Sequence, residues 1–129
     1  MEYLYFLANA SLTLRLVKYL HAMPQLPVKF MTVIHLLDGW VVKVKMNSTL
    51  NPQQDGDFQA FLNELGIPLE PQPRINMALM SLEAGQPLSD VMRRYQVVVV
   101  SHGSPECSEI EAFRHQLTEG LGYCPETLG

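Results

Sequence analysis

The chain is poor in charge for its length of 129 residues. Only 17% of the residues are charged, with nine Lys and Arg against thirteen Asp and Glu, so the net charge is −4. An average soluble domain carries roughly 25% charged residues. The sequence also has no basic run, and phosphate contacts require clustered Lys and Arg. We therefore expect no nucleic-acid partner.

Long hydrophobic runs are also absent. None approaches the roughly 18 to 20 apolar residues that a membrane span requires. The Ala8-Asn9-Ala10 pattern resembles a signal-peptide cleavage site, but Glu2 stands where such a peptide carries positive charge and the apolar core is too short. We expect a cytoplasmic protein that does not associate with membranes.

Cysteine is scarce, and its spacing excludes the common cysteine-based sites. Cys107 and Cys124 are 17 positions apart, in a chain with no C-x-x-C and no H-E-x-x-H sequence. A chain of this size and apolar content does not depend on a disulfide framework. We expect free thiols, no metal site and no cofactor.

The first part of the chain reads as a strand, a helix and a hairpin. Residues 3–8 are short, aromatic and apolar, which is typical of a strand. Asn9 or Ser11 then caps a helix with apolar residues at helical spacing, and this helix ends before Pro24. The hairpin follows between residues 28 and 46.

The Asp38-Gly39 dipeptide lies between two apolar runs, which is the signature of a hairpin with a type I′ turn. Such a turn places Leu37 opposite Trp40. One hairpin face is then almost wholly apolar. The other face also carries apolar residues, so we expect part of it to be covered.

The rest of the chain is mainly helical. The predicted elements are a helix over residues 58–65 capped by Asp55 or Asp57, a rigid connector with three prolines over residues 68–73, helices over residues 75–84 and 88–95, a central strand over residues 97–100, and a last helix with Ser104 as N-cap and Pro105 as its first residue.

The resulting order is β-α-β-β-α-(αα)-β-α, in one α+β domain over residues 1–129. This order resembles a ferredoxin-like sandwich, with an antiparallel or mixed sheet and helices packed on it. The resemblance implies that the last strand pairs beside the first. The closing helix is free to cover the second sheet face.

The strongest candidate for chemistry is the loop before the last helix, where Cys107 would be the third helical residue. A helix N-terminus lowers the pKa of a thiol, and His102 is a candidate base for it. The alternative is a structural start of the helix, with Cys107 as a small buried residue. We favour the structural reading, because cysteine is among the most buried residue types.

Seven methionines and one tryptophan point to a different kind of site. Flexible thioethers fill irregular cores and also line grooves that accept a segment of a partner. Trp40 is a candidate to cap the core or to anchor a partner. We take Trp40, Met77, Met80 and Met92 as candidate partner-binding residues.

The segments Ser101-His102-Gly103-Ser104-Pro105-Glu106-Cys107 and Gly122-Tyr123-Cys124-Pro125-Glu126 resemble small accessory and assembly proteins of cyanobacteria, of the carboxysome assembly factor type. The resemblance implies an assembly function and assigns no site residue.

The leading hypothesis is a non-enzymatic interaction protein, a monomer or a homodimer, that binds a short segment or terminal tail of another protein in an apolar groove. One alternative is an ACT-like regulatory module that binds a small molecule. The other is a thiol enzyme or redox sensor that depends on Cys107.

Overall fold

The computed structural model describes all residues, 1–129, and has an α+β fold. Its elements in chain order are β1 (Glu2–Leu7), α1 (Ala10–Ala22), β2 (Val28–Leu36), β3 (Gly39–Met46), α2 (Pro52–Leu65), β4 (Gly66–Pro68), α3 (Pro73–Glu83), α4 (Leu88–Tyr95), β5 (Val98–Gly103), α5 (Cys107–Leu121) and a short 3-10 helix (Glu126–Leu128). None of the helices is both long enough and apolar enough to span a membrane.

The five strands form one antiparallel sheet in the order β4-β1-β3-β2-β5. The last long strand, β5, pairs with β2 and therefore lies at the sheet edge. The sequence predicts a central strand that pairs beside β1, and both parts of this prediction are wrong. The position beside β1 is taken by the three-residue strand β4. The connector, α3 and α4 separate β5 from β4 in the chain and carry it to the opposite edge.

The first face of the sheet carries the larger hydrophobic cluster, with 21 buried residues. Alternate side chains of β1, Tyr3, Tyr5 and Leu7, point to this face, as the period of two in a strand requires. Helices α1, α2 and α5 cover it. Asn9 begins α1 by accepting a hydrogen bond from the Leu12 backbone N–H at 3.0 Å.

The second face carries a smaller cluster of nine buried residues. Here α3 and α4 pack over the sheet residues Ile34 and Val41. The expectation that the hairpin would be covered on both sides is confirmed. The covering elements are the two middle helices, whereas the closing helix α5 packs on the first face beside α1.

The hairpin turns one residue earlier than predicted, which shifts the register of its two strands by two residues. His35 lies opposite Trp40, and the two-residue loop is Leu37-Asp38. Neither loop residue has a positive φ, so the turn is not type I′. Gly39 serves close packing instead, because a Cβ there would lie 2.3 Å from a ring carbon of Phe6.

The starts of three helices also differ from the prediction. Helix α3 begins at Pro73, two residues before the predicted start. Helix α2 begins three residues or more before the expected caps, because Asn51 and Gln54 form a capping box around Pro52. Helix α5 begins at Cys107 with Glu106 as N-cap, two residues later than the predicted start at Pro105 with Ser104 as N-cap. Helix α4 spans the predicted residues.

Candidate functional site

A cavity of about 540 Å³ opens at one end of the sheet. It lies between the tip of the β2–β3 hairpin, the connector after β4, the start of α3 and the junction between α4 and β5. Ligand sites in proteins commonly have volumes of roughly 300 to 1,000 Å³. The cavity is therefore large enough to hold several side chains of a partner or one small molecule.

The connector forms one wall of the cavity and is fixed to the sheet. The Leu69 backbone N–H donates a hydrogen bond to the carbonyl oxygen of Leu4 at 3.0 Å. Pro71 restricts the chain that follows and also lines the cavity. This wall has no regular secondary structure, yet its position is held from both sides, by β1 and by α3.

Arg74 joins the opposite side of the cavity to the start of α3. Its Nη1 donates hydrogen bonds to the backbone carbonyls of Tyr95 at 3.5 Å and Gln96 at 3.0 Å. These carbonyls lie at the C-terminal end of α4, where a cation is favoured by the helix dipole. Gln96 has the only positive φ among non-glycine residues, 54°, and turns the chain into β5.

The cavity is apolar inside and mixed at its rim. Val41, Ile75 and Val97 are buried in its lining. At the rim, the Leu37 side chain is 99% exposed, although it is a large aliphatic residue. Asp38 and Arg74 bring one charge of each sign to the lining. The arrangement suits an apolar group that carries a polar or charged neighbour.

Trp40 lies in the core of the first face and not in this cavity. Its side chain is fully buried, and its indole Nε1–H donates a hydrogen bond to the Thr127 carbonyl at 2.7 Å. Its ring packs against His35 and Phe113, with centroids 4.9 and 5.7 Å away. The structure therefore places Trp40 as a core residue, inaccessible to a partner.

The three candidate methionines do not line the cavity either. Met77 and Met80 are 51% and 61% exposed on α3, where they face away from the sheet. Met92 is partly buried against the cluster of the second face. The structure does not bring these residues together with Trp40 into one groove.

Cys107 and His102 are close in sequence but form no hydrogen bond with each other. The His102 Nδ1 lies 2.6 Å from the Thr32 hydroxyl, and its ring packs beside Phe30. Cys107 is the first residue of α5 and is partly buried against the larger cluster. Both cysteines are free thiols, as expected. The geometry shows a packed cysteine and a histidine that is held by a hydroxyl.

The Nε2 atom of the half-buried His35 is the one shielded side-chain polar atom without a hydrogen-bond partner. Burial lowers the pKa of His35, because desolvation penalises the imidazolium form. The ring is therefore held as the neutral imidazole between Trp40 and Phe113.

The charged groups of the second face form a structural network. The Lys43 ammonium lies 2.7 Å from Glu2 and 2.5 Å from Glu83, which ties β1 and β3 to α3. Burial lowers the pKa of Lys43, but the hydrogen bonds to both carboxylates outweigh burial and raise it. The hydrogen bond from Lys43 lowers the pKa of Glu2. Every charge here is paired, and the network connects α3 to the sheet.

A hydrogen bond between a hydroxyl and a carboxylate connects β1 to α2. The Tyr3 hydroxyl donates to an Asp55 carboxylate oxygen at 2.6 Å. Burial and this carboxylate raise the pKa of Tyr3, and the same hydrogen bond lowers the pKa of Asp55.

No group of three His, Cys, Asp or Glu side chains is arranged to hold a metal ion.

No pattern in the sequence predicts the residues of the cavity as a site. They come from five separate segments, and only the prolines of the connector gave a local signal of unusual structure there. Comparison of this chain with family models, curated proteins and solved structures found no match.

Proposed function

We propose that this chain is a non-enzymatic interaction protein that binds a short segment of another protein in the cavity at the sheet end. The observation that carries the proposal is the position of the fully exposed Leu37 beside an apolar cavity of about 540 Å³. A cavity of this size, lined mainly by apolar side chains with a few polar groups, is the usual form of a binding site, and Leu37 adds apolar surface at its rim.

The charges near the cavity indicate the chemistry of the segment. Arg74 and Asp38 bring one charge of each sign to the lining. Beside the cavity, Arg93 on α4 is paired with Asp90 at 3.1 Å. A segment with one aliphatic or aromatic anchor next to a charged residue complements such a lining.

A displayed library of random short peptides, selected on the immobilised full chain, tests this proposal. The selected peptides are expected to carry an apolar anchor flanked by a charged residue. A synthetic copy should bind with an affinity that Leu37→Ser lowers about tenfold, because Leu37 contributes apolar contact at the rim. Leu121→Ser, at a 50% exposed leucine on α5, serves as the matched control.

Two results would contradict the proposal. One is a library that yields no binder above the background. The other is a binder whose affinity changes equally with Leu37→Ser and Leu121→Ser, since its site would then lie elsewhere. Both leucines are exposed, so neither variant is expected to change the fold.

The ACT-like module remains a second candidate, and the sheet order supports it. Strands β1 to β4 follow the order β4-β1-β3-β2, which is the order of a ferredoxin-like domain with one β-α-β-β-α-β unit. On this interpretation α3, α4, β5 and α5 are additions to that unit. A rise in thermal stability with an amino acid or a nucleotide would favour this candidate, and binding of the selected peptide alone would favour the first.

The assembly role implied by the cyanobacterial resemblance is compatible with the first candidate. An assembly factor recognises a segment of the protein that it helps to place. The carboxysome and the cytoplasm are its proposed setting. A shell-protein segment that competes with the selected peptide for the cavity would support it, and one that binds with the peptide still in place would not.

A further inference from the structure

The segment that follows α5 is attached to the rest of the molecule at few points. Gly122 ends α5 with a positive φ of 76° and turns the chain back beside the helix. Among residues 123–129, which we call the strap, only Leu128 is buried. None of the backbone hydrogen bonds outside the helices and strands joins the strap to another part of the chain. The strap is therefore held by the contacts near its far end.

Those contacts are one leucine and two hydrogen bonds from side chains. Leu128 is 1% exposed and packs in the larger cluster of the first face. On one side of it, the Trp40 Nε1–H donates to the Thr127 carbonyl at 2.7 Å. On the other side, the Ser11 hydroxyl donates to a backbone oxygen of Gly129. The first face thus forms an apolar slot for a leucine, with a donor for a backbone oxygen on each side.

An open cleft of about 700 Å³ lies between the strap and α5. Its lining includes Arg114, His115 and Thr118 of α5, and Cys124 and Gly129 of the strap. None of the α5 residues that line it is buried. The strap therefore buries little surface against α5, and its docking depends mainly on the slot.

We propose that the strap is releasable: it opens at Gly122 while the rest of the fold stays intact, and it controls access to the slot that Leu128 fills. Segments with few buried apolar contacts open at a free energy below that of global unfolding. Opening frees the slot and leaves the Trp40 indole N–H and the Ser11 hydroxyl without their acceptors. This inference goes beyond the proposed function, because no strap residue lines the cavity at the sheet end.

Hydrogen exchange of the full chain under native conditions tests the proposal. The single tryptophan gives one indole N–H signal in a nuclear magnetic resonance spectrum, and this hydrogen exchanges only when its bond to Thr127 breaks. Its exchange rate should not change at low concentrations of urea, because local opening exposes little surface. The backbone N–H of Val42, on the central strand β3, should exchange faster as urea is added, because it requires global unfolding.

Two variants within the strap compare its docked residue with an undocked one. Leu128→Ser should raise the indole exchange rate by roughly tenfold to a hundredfold, because the slot loses a buried leucine side chain. Tyr123→Ser, at a side chain that is 63% exposed, is the matched control and should change the rate by less than about twofold. Ser11→Ala removes one donor and should raise the rate about fivefold.

An indole exchange rate that rises with urea in parallel with the Val42 rate would overturn the proposal, since the strap would then leave only when the whole fold is lost. This result is measured on the wild type, so it does not depend on the folding of any variant. Equal changes for Leu128→Ser and Tyr123→Ser would also overturn it, because the slot would then not hold the strap. Neither result bears on the peptide affinity that Leu37→Ser measures.

Discussion

The two faces of the sheet differ in the number of residues they bury and in the helices that cover them. The first face holds 21 buried residues under three helices, and the second holds nine under two shorter helices. The second face compensates with the Lys43 network and leaves a cavity at its end. Apolar burial scales with stability. The first face therefore supplies most of the stability, and the second has the room for a ligand.

The largest expected effect comes from matched truncations of one leucine on each face. Leu16 on α1 and Leu79 on α3 are both buried, and each lies inside its helix. Leu16→Ala should lower the free energy of unfolding by about 4 kcal/mol and Leu79→Ala by about 2 to 3 kcal/mol. The loss is smaller for Leu79 because the thinner layer of the second face relaxes more around the space that the truncated side chain leaves. Urea denaturation measures both.

Equal losses for the two leucine variants would contradict the comparison between the faces. A larger loss for Leu79→Ala would reverse it. Leu→Ala is the same chemical change at both positions, so differences in helix propensity do not enter.

A smaller effect is expected from removing the charge at the centre of the second face. Lys43→Met leaves Glu2 and Glu83 without their main partner, while the aliphatic part of the side chain is kept. The free energy of unfolding should fall by about 1 to 2 kcal/mol, between the values for exposed and buried pairs. Lys18→Met, on the exposed side of α1, should change it by less than about 0.5 kcal/mol.

Equal stabilities for the Lys43→Met and Lys18→Met variants would show that the network does not hold α3. The smaller cluster would then be stabilised by apolar contacts alone.

The smallest effect is a pH dependence of the first face, through His35. Burial lowers its pKa in the folded state below the ordinary value of 6.5, so the unfolded chain takes up the proton first. Stability should be complete above about pH 6.5 and should fall as the pH decreases below that value. Urea denaturation between pH 7 and pH 5 measures the fall.

His35→Phe should remove this fall, because phenylalanine fills the same aromatic site without titrating. His21→Gln, at an exposed position, should retain it. A wild type whose stability does not change between pH 7 and pH 5 would contradict the assignment of a neutral buried imidazole.

The sequence predicts the elements of this fold better than it predicts their arrangement. The bounds of α4, the cap Asn9 and the two covered hairpin faces follow from local patterns. The hairpin register was two residues off, yet the faces were right, because only an odd shift exchanges the two sides of a strand. The sequence predicts that Gly39 is needed for the turn, whereas the structure requires it for the close approach of the Phe6 ring, which no local pattern shows.

The arrangement depends on distant contacts that no local pattern carries. Strand β4 is too short to show alternation, and its last residue is Pro68, which argues against a strand. The edge position of β5 depends on the path of the connector and two helices. The cavity is assembled from separate segments, so neither Leu37 nor Arg74 stands out in the sequence.

The burial of Trp40 has a spectroscopic consequence. It is the only tryptophan in the chain, it is shielded from solvent, and Thr127 binds its indole nitrogen. Its emission therefore reports on the first face alone, whereas far-ultraviolet circular dichroism reports on the helices of both faces. If α3 and α4 detach first in urea, the ellipticity decreases while the emission maximum stays at short wavelength. The protein thus carries an intrinsic probe that separates the unfolding of its two layers.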